Sequence, residues 1–289
     1  MIYQVSPILK SYIWGGDKLQ KIFHNDIQNL AEAWVLSAVE NESSKIVGSD
    51  ETILSIFNKN NDIVSKNYTG KFPLLVKVLC SSRDLSVQNH PAGKAEFWHI
   101  LDAEKDSYIY LGLSHSMSKE ELKQSLKNST ICEHLNKIYV KKGDCFFIPP
   151  GVIHMLGKGI LTLEIQQNLN LTYRLFDFNR VDVNGKLREL KIDEGVEVSD
   201  LNKFEIKNQN VSLGSLVKCP FFSANRCHGH HEDIVDEYSF AYIYILSGQG
   251  SLASVDGVVP VTCGDSLFVC SGHGKITLDG DIEFVVVKK

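Results

Sequence analysis

Short apolar runs recur along most of the chain. From Phe72 onward, segments of four to eight residues rich in Val, Ile, Leu, Phe and Tyr follow one another, among them PLLVKVL, FWHILDA, SYIYLGL, CFFIP, ILTLEIQQ and TYRLFDF. Turns carrying Gly, Asp or Asn separate them, a rhythm that predicts strands packed as a β-sandwich or barrel. Two stretches break it. Residues 51–67 place apolar positions at roughly helical spacing before an Asn-rich breaker, and Ser118 with Glu121 makes a capping box that opens a helix, followed by an amphipathic piece to His134. Residues 182–203 are polar and charged and read as a connection. A second strand-rich block follows, so the expected division is 1–200 and 205–289.

The two blocks share a phrase. Gly143-Asp144 leads into the apolar Cys145–Ile148 and a turn at Pro149–Gly151, while Gly264-Asp265 leads into Ser266–Val269 and a turn at Ser271-Gly272. A Gly-Asp turn, an apolar strand and a second Gly-containing turn at the same spacing form a weak internal repeat, which predicts two units of one type.

Composition narrows the function. The 289 residues carry a formal charge of −5, with Lys and Arg scattered singly among acids, so no basic face for nucleic acid is expected. The apolar runs stop well short of the ~18 residues of a spanning helix, and the first residues lack the pattern of a signal peptide. The seven cysteines are an odd number without a C-x-x-C pair. That usage fits a reducing, cytoplasmic setting. Cys145, in an apolar strand, reads as a small core residue.

The candidate chemistry lies in the first block. G-D-x-x-x-x-P-x-G-x-x-H, from Gly143 to His154, fits the second motif of the cupin barrels, so the expected fold is an all-β double cupin of two jelly rolls with a few helical insertions. The turn aims the His154 imidazole into the barrel mouth. Upstream, Gln88 and His90 stand two apart and share a strand face, Asn89 faces away, and Glu96 returns on the next strand after Pro91–Gly93. Two imidazoles, a carboxylate and an amide oxygen suit one divalent first-row ion per chain, with zinc the leading choice.

Further stretches make the chain similar to a known family. Trp14-Gly15-Gly16, Glu32–Ser37, Pro73–Lys77, Leu85–Pro91, Gly93–Glu96, Leu163–Gln167 and Thr172-Tyr173-Arg174 resemble the type I mannose-6-phosphate isomerases (phosphomannose isomerases) of the short bacterial class. The resemblance implies a zinc-dependent aldose–ketose isomerase that interconverts mannose 6-phosphate and fructose 6-phosphate. It implies zinc ligands at Gln88, His90, Glu96 and His154, a catalytic arginine at Arg174, and pocket residues at Lys94 and Glu164. Ser86, Lys77 and Arg180 are candidates for the substrate phosphate, since serine donates a hydrogen bond and the cations neutralise charge. Glu164 sits in an apolar run and needs a partner, such as Arg174, or a wet pocket.

The match departs in places. Pro91 and Gly93 are joined through Ala92 alone, where most of the family carries a longer loop. In the second block Lys275 stands where the ligand histidine would be, so 205–289 reads as a degenerate, structural cupin domain. The cluster His228, His230 and His231 is a weaker metal candidate. Two rival functions follow: a non-catalytic, metal- and sugar-binding sensor, and an iron(II) oxygenase using His90, Glu96 and His154.

Overall fold

The computed structural model describes residues 1–181, 185–207, 209–211 and 213–289. Its strands form three main antiparallel sheets. A seven-stranded sheet runs in the order Gln209–Asn210, Asp144–Ile148, Glu96–Ala103, Ile160–Gln167, Leu74–Ser81, Ile8–Gly16, Leu30–Leu36. A five-stranded sheet runs Leu135–Tyr139, Tyr108–Leu113, His154–Leu156, Val87–Asn89, Tyr173–Phe176. Residues of both sheets, including Trp98, Ile100, Phe146, Ile109, Leu111 and Leu156, form one buried cluster between them. This is the jelly-roll arrangement expected. Among the described residues, no ladder joins the two sheets into a closed barrel; they meet face to face.

The seven-stranded sheet is covered on its other face as well. Val76, Val78, Phe97, Leu163 and Ile165 pack with Leu216, Phe222, Tyr242, Phe268 and Val285 of the C-terminal block. Burial on both faces explains why PLLVKVL and ILTLEIQQ read as nearly continuous apolar runs rather than as alternating strands.

The C-terminal block is one eight-stranded sheet organised around two long strands, Ala241–Ser254 and Gly274–Lys288. Their ladder is bulged between Ile245 and Ser247, and Gly248 adopts φ +82°, where a Cβ would strike the Asp281 carbonyl at 1.8 Å. Both halves of each long strand feed a single apolar core, which holds Ile243 and Leu252 of one and Ile276 and Phe284 of the other, so the sheet wraps around itself. Its edge includes Ile2–Val5, which pairs with Ser266–Val269.

Two helices lie where the local signals put them, while Lys18–Ile22 and Ile192–Val198 were not expected. Thr52 and Ser55 cap Ile53–Lys59, and Ser118 and Glu121 cap Lys119–Lys127. Leu122 and Leu126 of the latter pack on the outer face of the five-stranded sheet. The polar segment expected as a connection over 182–203 includes 182–184, which lie outside the described residues. Beyond them it is more than a connection, because Ile192–Val198 is helical and buries Val196 in that same outer cluster.

Candidate active site

Two cross-strand rows face each other between the sheets of the N-terminal block. In the seven-stranded sheet the register places Trp34 beside Lys77, Lys77 beside Glu164 and Glu164 beside Trp98, with Glu96 beside Gln166. Alternation does the sorting. Leu163 and Ile165 turn to the rear core, while Glu164 between them turns inward. In the five-stranded sheet Arg174, Gln88 and His154 are consecutive cross-strand neighbours. The turn that delivers His154 needs Gly151. That residue has φ +81°, its amide donates to the His90 carbonyl at 2.8 Å, and a Cβ would meet the Val198 carbonyl at 2.5 Å. Asn89 points away as expected and binds the Gly195 carbonyl and Ser199 hydroxyl at the end of helix Ile192–Val198.

His90, Glu96 and His154 converge in a buried group whose ligand atoms lie within 4.8 Å of one another. His154 Nδ1 is 2.9 Å from the Val152 carbonyl and His90 Nδ1 is 3.1 Å from the Leu171 carbonyl. A carbonyl only accepts, so Nδ1 of His154 carries the hydrogen; at His90 the nearer Leu171 carbonyl favours the same tautomer over the Lys94 ammonium, 3.3 Å from that nitrogen, and each Nε2 then presents a lone pair. Those lone pairs face a carboxylate: His90 Nε2 lies 3.0 Å from Glu96 Oε1, and His154 Nε2 lies 3.7 Å from Glu96 Oε2. His90 Nε2 and Glu96 Oε2 are buried with no hydrogen-bond partner. Acceptors set against one another in a buried site make a set of lone pairs that a bound cation would satisfy. The donor set therefore fits a metal ion. Gln88 reaches within 3.4 Å of His154 Nε2 and can present its amide oxygen by rotation of the amide.

Electrostatics favour the same state. Burial pushes His90 down to about 3 and lowers His154, keeping both imidazoles neutral as ligands. Burial disfavours charge on Glu96, but the Lys94 ammonium at 3.1 Å helps hold its carboxyl well below the usual range. Lys94 is itself lowered by burial and lies 3.3 Å from the Leu171 carbonyl.

A cavity of about 220 Å³ opens in front of this group. Of the residues picked out in the sequence, Gln88, Glu96, Lys94, Glu164, Arg174, Ser86 and Lys77 line it, with His90 and His154 behind. Glu164 finds its partner in Lys77, at 3.1 Å, rather than in Arg174, and accepts a hydrogen bond from Trp98 Nε1 at 2.9 Å. Burial raises the Glu164 carboxyl, with Glu96 adding to the effect. For Lys77, Glu164, Glu32 and Glu96 overturn the lowering that burial would impose. Arg174 donates from Nη1 to the Glu189 carbonyl at 2.9 Å, and its buried Nε has no partner.

Arg180 is not brought to the cavity. Its guanidinium is taken up by the Asp177 carboxylate and the Asp84 carbonyl. Arg188 lines the cavity instead, as do Glu32 and Tyr12. Arg188 lies in the stretch that reads as a linker, which is why it was missed; Glu32 was visible only as part of a matching stretch. In the C-terminal block Lys275 is on the surface, paired with Glu232 at 2.7 Å. Among the described residues, His228, His230 and His231 do not form a metal-ligand group. Cys145 is buried in the core, where burial pushes its thiol up to about 12.

Comparison with known proteins gives a consistent result. Residues 2–132 match the model for the phosphomannose isomerase type I catalytic domain, and 213–289 match that for the mannose-6-phosphate isomerase cupin domain. The mannose-6-phosphate isomerase ManA of Bacillus subtilis is 31% identical over 97% of this chain and 96% of its own length. The crystal structure of the mannose 6-phosphate isomerase from Bacillus subtilis superposes with a TM-score of 0.88 at 26% identity, covering 99% of each chain. A mannose 6-phosphate isomerase bound with zinc and yttrium shares the fold, with a TM-score of 0.75 at 16% identity over 99% of this chain and 98% of its own.

Proposed function

The chain belongs to the mannose-6-phosphate isomerase family, and from that premise we propose that its cavity carries out the aldose–ketose isomerisation of mannose 6-phosphate and fructose 6-phosphate with one zinc ion held by Gln88, His90, Glu96 and His154. Family membership weighs against both the sensor and the oxygenase readings. Residues 1–200 are taken as the catalytic unit and 205–289 as its structural partner. The unpaired cysteines fit an enzyme working in the cytoplasm.

The observation that carries this reading is the buried acceptor-against-acceptor group at the back of a cavity whose wall includes Arg174. A divalent ion bound there supplies Lewis acidity toward the oxygens on C1 and C2 of the sugar. The protein supplies the rest. Moving the carbonyl requires a proton to leave one carbon and arrive at its neighbour, through an enediolate that carries negative charge. Glu164 is suited to carry that proton at a carboxylate oxygen, because burial raises its affinity for it while Trp98 and Lys77 fix its orientation. Arg174 keeps its charge at any working pH and offers N–H donors to the developing oxyanion. Lys94 bridges Glu96 and the Leu171 carbonyl and so holds the ligand carboxylate in place. Ser86 and Lys77 offer a donor and positive charge on the cavity wall to the phosphosugar.

The test is a coupled assay of purified protein with mannose 6-phosphate, with zinc restored and again after chelation. Conversion to fructose 6-phosphate that disappears on chelation and returns with zinc is the expected result. A zinc-loaded protein that turns over nothing overturns the assignment.

A further inference from the structure

Arg188 lines the cavity, yet neither metal binding nor proton transfer uses it. Its side chain is fixed on one edge. Nε donates to Asp177 Oδ2 at 2.7 Å, and Nη2 donates to Asp177 Oδ1. Asp177 is 5% exposed and also accepts from Arg180. Such a side-on, bidentate clamp sets the plane of a guanidinium and leaves its far end for another acceptor. Among the described residues no acceptor meets Arg188 Nη1, and none meets the buried Nε of Arg174.

Charge points the same way. Arg174, Arg180 and Arg188 gather around the single carboxylate of Asp177, and after burial the nearness of Arg188 is the main influence lowering Arg174. The Glu189 carboxylate, paired with Lys191, opposes this only as a smaller influence on Arg174. Arg174 and Arg188 on the cavity wall, with Arg180 behind them, outnumber the Asp177 carboxylate and leave positive charge along that wall, which favours a dianion.

We infer that Arg188 is the group that grips the phosphate of the sugar substrate, in place of Arg180, and that Asp177 is the positioning residue that presents it beside Arg174. This rests on the phosphosugar reading above and adds the residue that tells a phosphorylated sugar from a plain one. Arg180 serves the clamp from behind, tying Asp177 to the Asp84 carbonyl.

The experiment uses the zinc-loaded full chain and measures two things: steady-state kinetics with mannose 6-phosphate, and calorimetric binding of mannose 6-phosphate against mannose. Arg188→Ala is expected to raise KM and weaken mannose 6-phosphate binding by about 10- to 100-fold, the range of a lost charged hydrogen bond. Its kcat should shift by no more than about threefold, and mannose binding should stay as it was. Arg188→Lys recovers part of the loss, because it restores charge without the fork. Asp177→Asn raises KM by a smaller factor, about 3- to 10-fold, with zinc content unchanged. An Arg188→Ala protein that still prefers mannose 6-phosphate over mannose as the parent does, or that weakens both sugars equally, overturns the inference. A parent protein that binds both sugars alike overturns it too. A parent that prefers the phosphorylated sugar through Arg188 but does not isomerise it leaves this inference standing and overturns the isomerase reading.

Discussion

Inside the N-terminal block, the inward positions of four neighbouring strands carry Glu32, Lys77, Glu96 and Glu164; inside the C-terminal block, inward positions carry Ile243, Leu267, Ile276 and Phe284. Both blocks run a Gly-Asp turn into a buried strand, Asp144–Ile148 in one and Ser266–Val269 in the other. The first leaves a cavity and fills its walls with charges that must satisfy one another. The second fills its interior with side chains that need nothing but contact. The architecture thus tolerates a site without requiring one. What makes the site is a handful of polar residues placed one per strand at positions whose cross-strand neighbour has the complementary charge or donor, as Lys77 has Glu164 and Glu164 has Trp98.

The contrast can be tested at both ends. The largest effect is expected at Arg174. Arg174→Ala should lower kcat/KM by about 10²- to 10³-fold, the range seen when a donor to a developing oxyanion is lost. Lys275→Ala, at the C-terminal block's counterpart of the ligand position His154, should leave kinetics alone. Steady-state assay of both variants checks this, and equal activity losses would erase the functional difference drawn between the blocks.

A second pair matches stability against activity. Lys77→Met strands a buried Glu164 without its cation and should cost about 3–5 kcal/mol. Phe284→Ala opens a cavity in the C-terminal core and should cost a similar amount, about 3–5 kcal/mol. Urea unfolding measures both. The expected difference is that Phe284→Ala, while still folded, keeps its kcat, whereas Lys77→Met does not. If both keep it, the Lys77–Glu164 pair is structural only.

The smallest effect lies where the blocks meet. His99, on the back of the seven-stranded sheet, is fully buried, with Nδ1 3.2 Å from the Cys145 thiol. Burial, and after it Arg226 of the C-terminal block, lower it from 6.5 to about 4. As the pH falls below 6.5 the unfolded chain takes up a proton at this residue, and the folded chain does not until about 4. Stability should therefore drop across that window, by at most about 1.4 kcal/mol per pH unit for one proton. His99→Gln should flatten the dependence, measured as the change in urea midpoint between pH 7 and pH 5. An unchanged dependence would show that His99 does not set the acid sensitivity of this boundary.

Much of this is legible in the amino-acid sequence. The turn from Gly143 to His154 and the pair Gln88 and His90 announce themselves because spacing along one strand or one turn decides where they point. Glu164 in an apolar run signalled a buried charge, yet its partner could not be read, because Lys77 is joined to it only by the register between two strands. Arg188 was hidden for a stronger reason. Its neighbours in the chain are polar and suggest solvent, and only the clamp by Asp177, eleven residues earlier, turns it into a cavity residue. The long-range pairing of Ile2–Val5 with Ser266–Val269 left no local trace either.

That last pairing bears on how the molecule comes into being. A ribosome makes Ile2–Val5 long before the strand they pair with, so this strand waits for its partner while everything between them is synthesised. The same holds for the rear face of the seven-stranded sheet, whose apolar side chains are covered by Leu216, Tyr242 and Val285. A nascent chain halted before residue 266 would present both an unpaired edge and an uncovered apolar sheet. The C-terminal block thus acts as the clasp that fastens the N-terminal sheets, and truncation there is a fault of assembly.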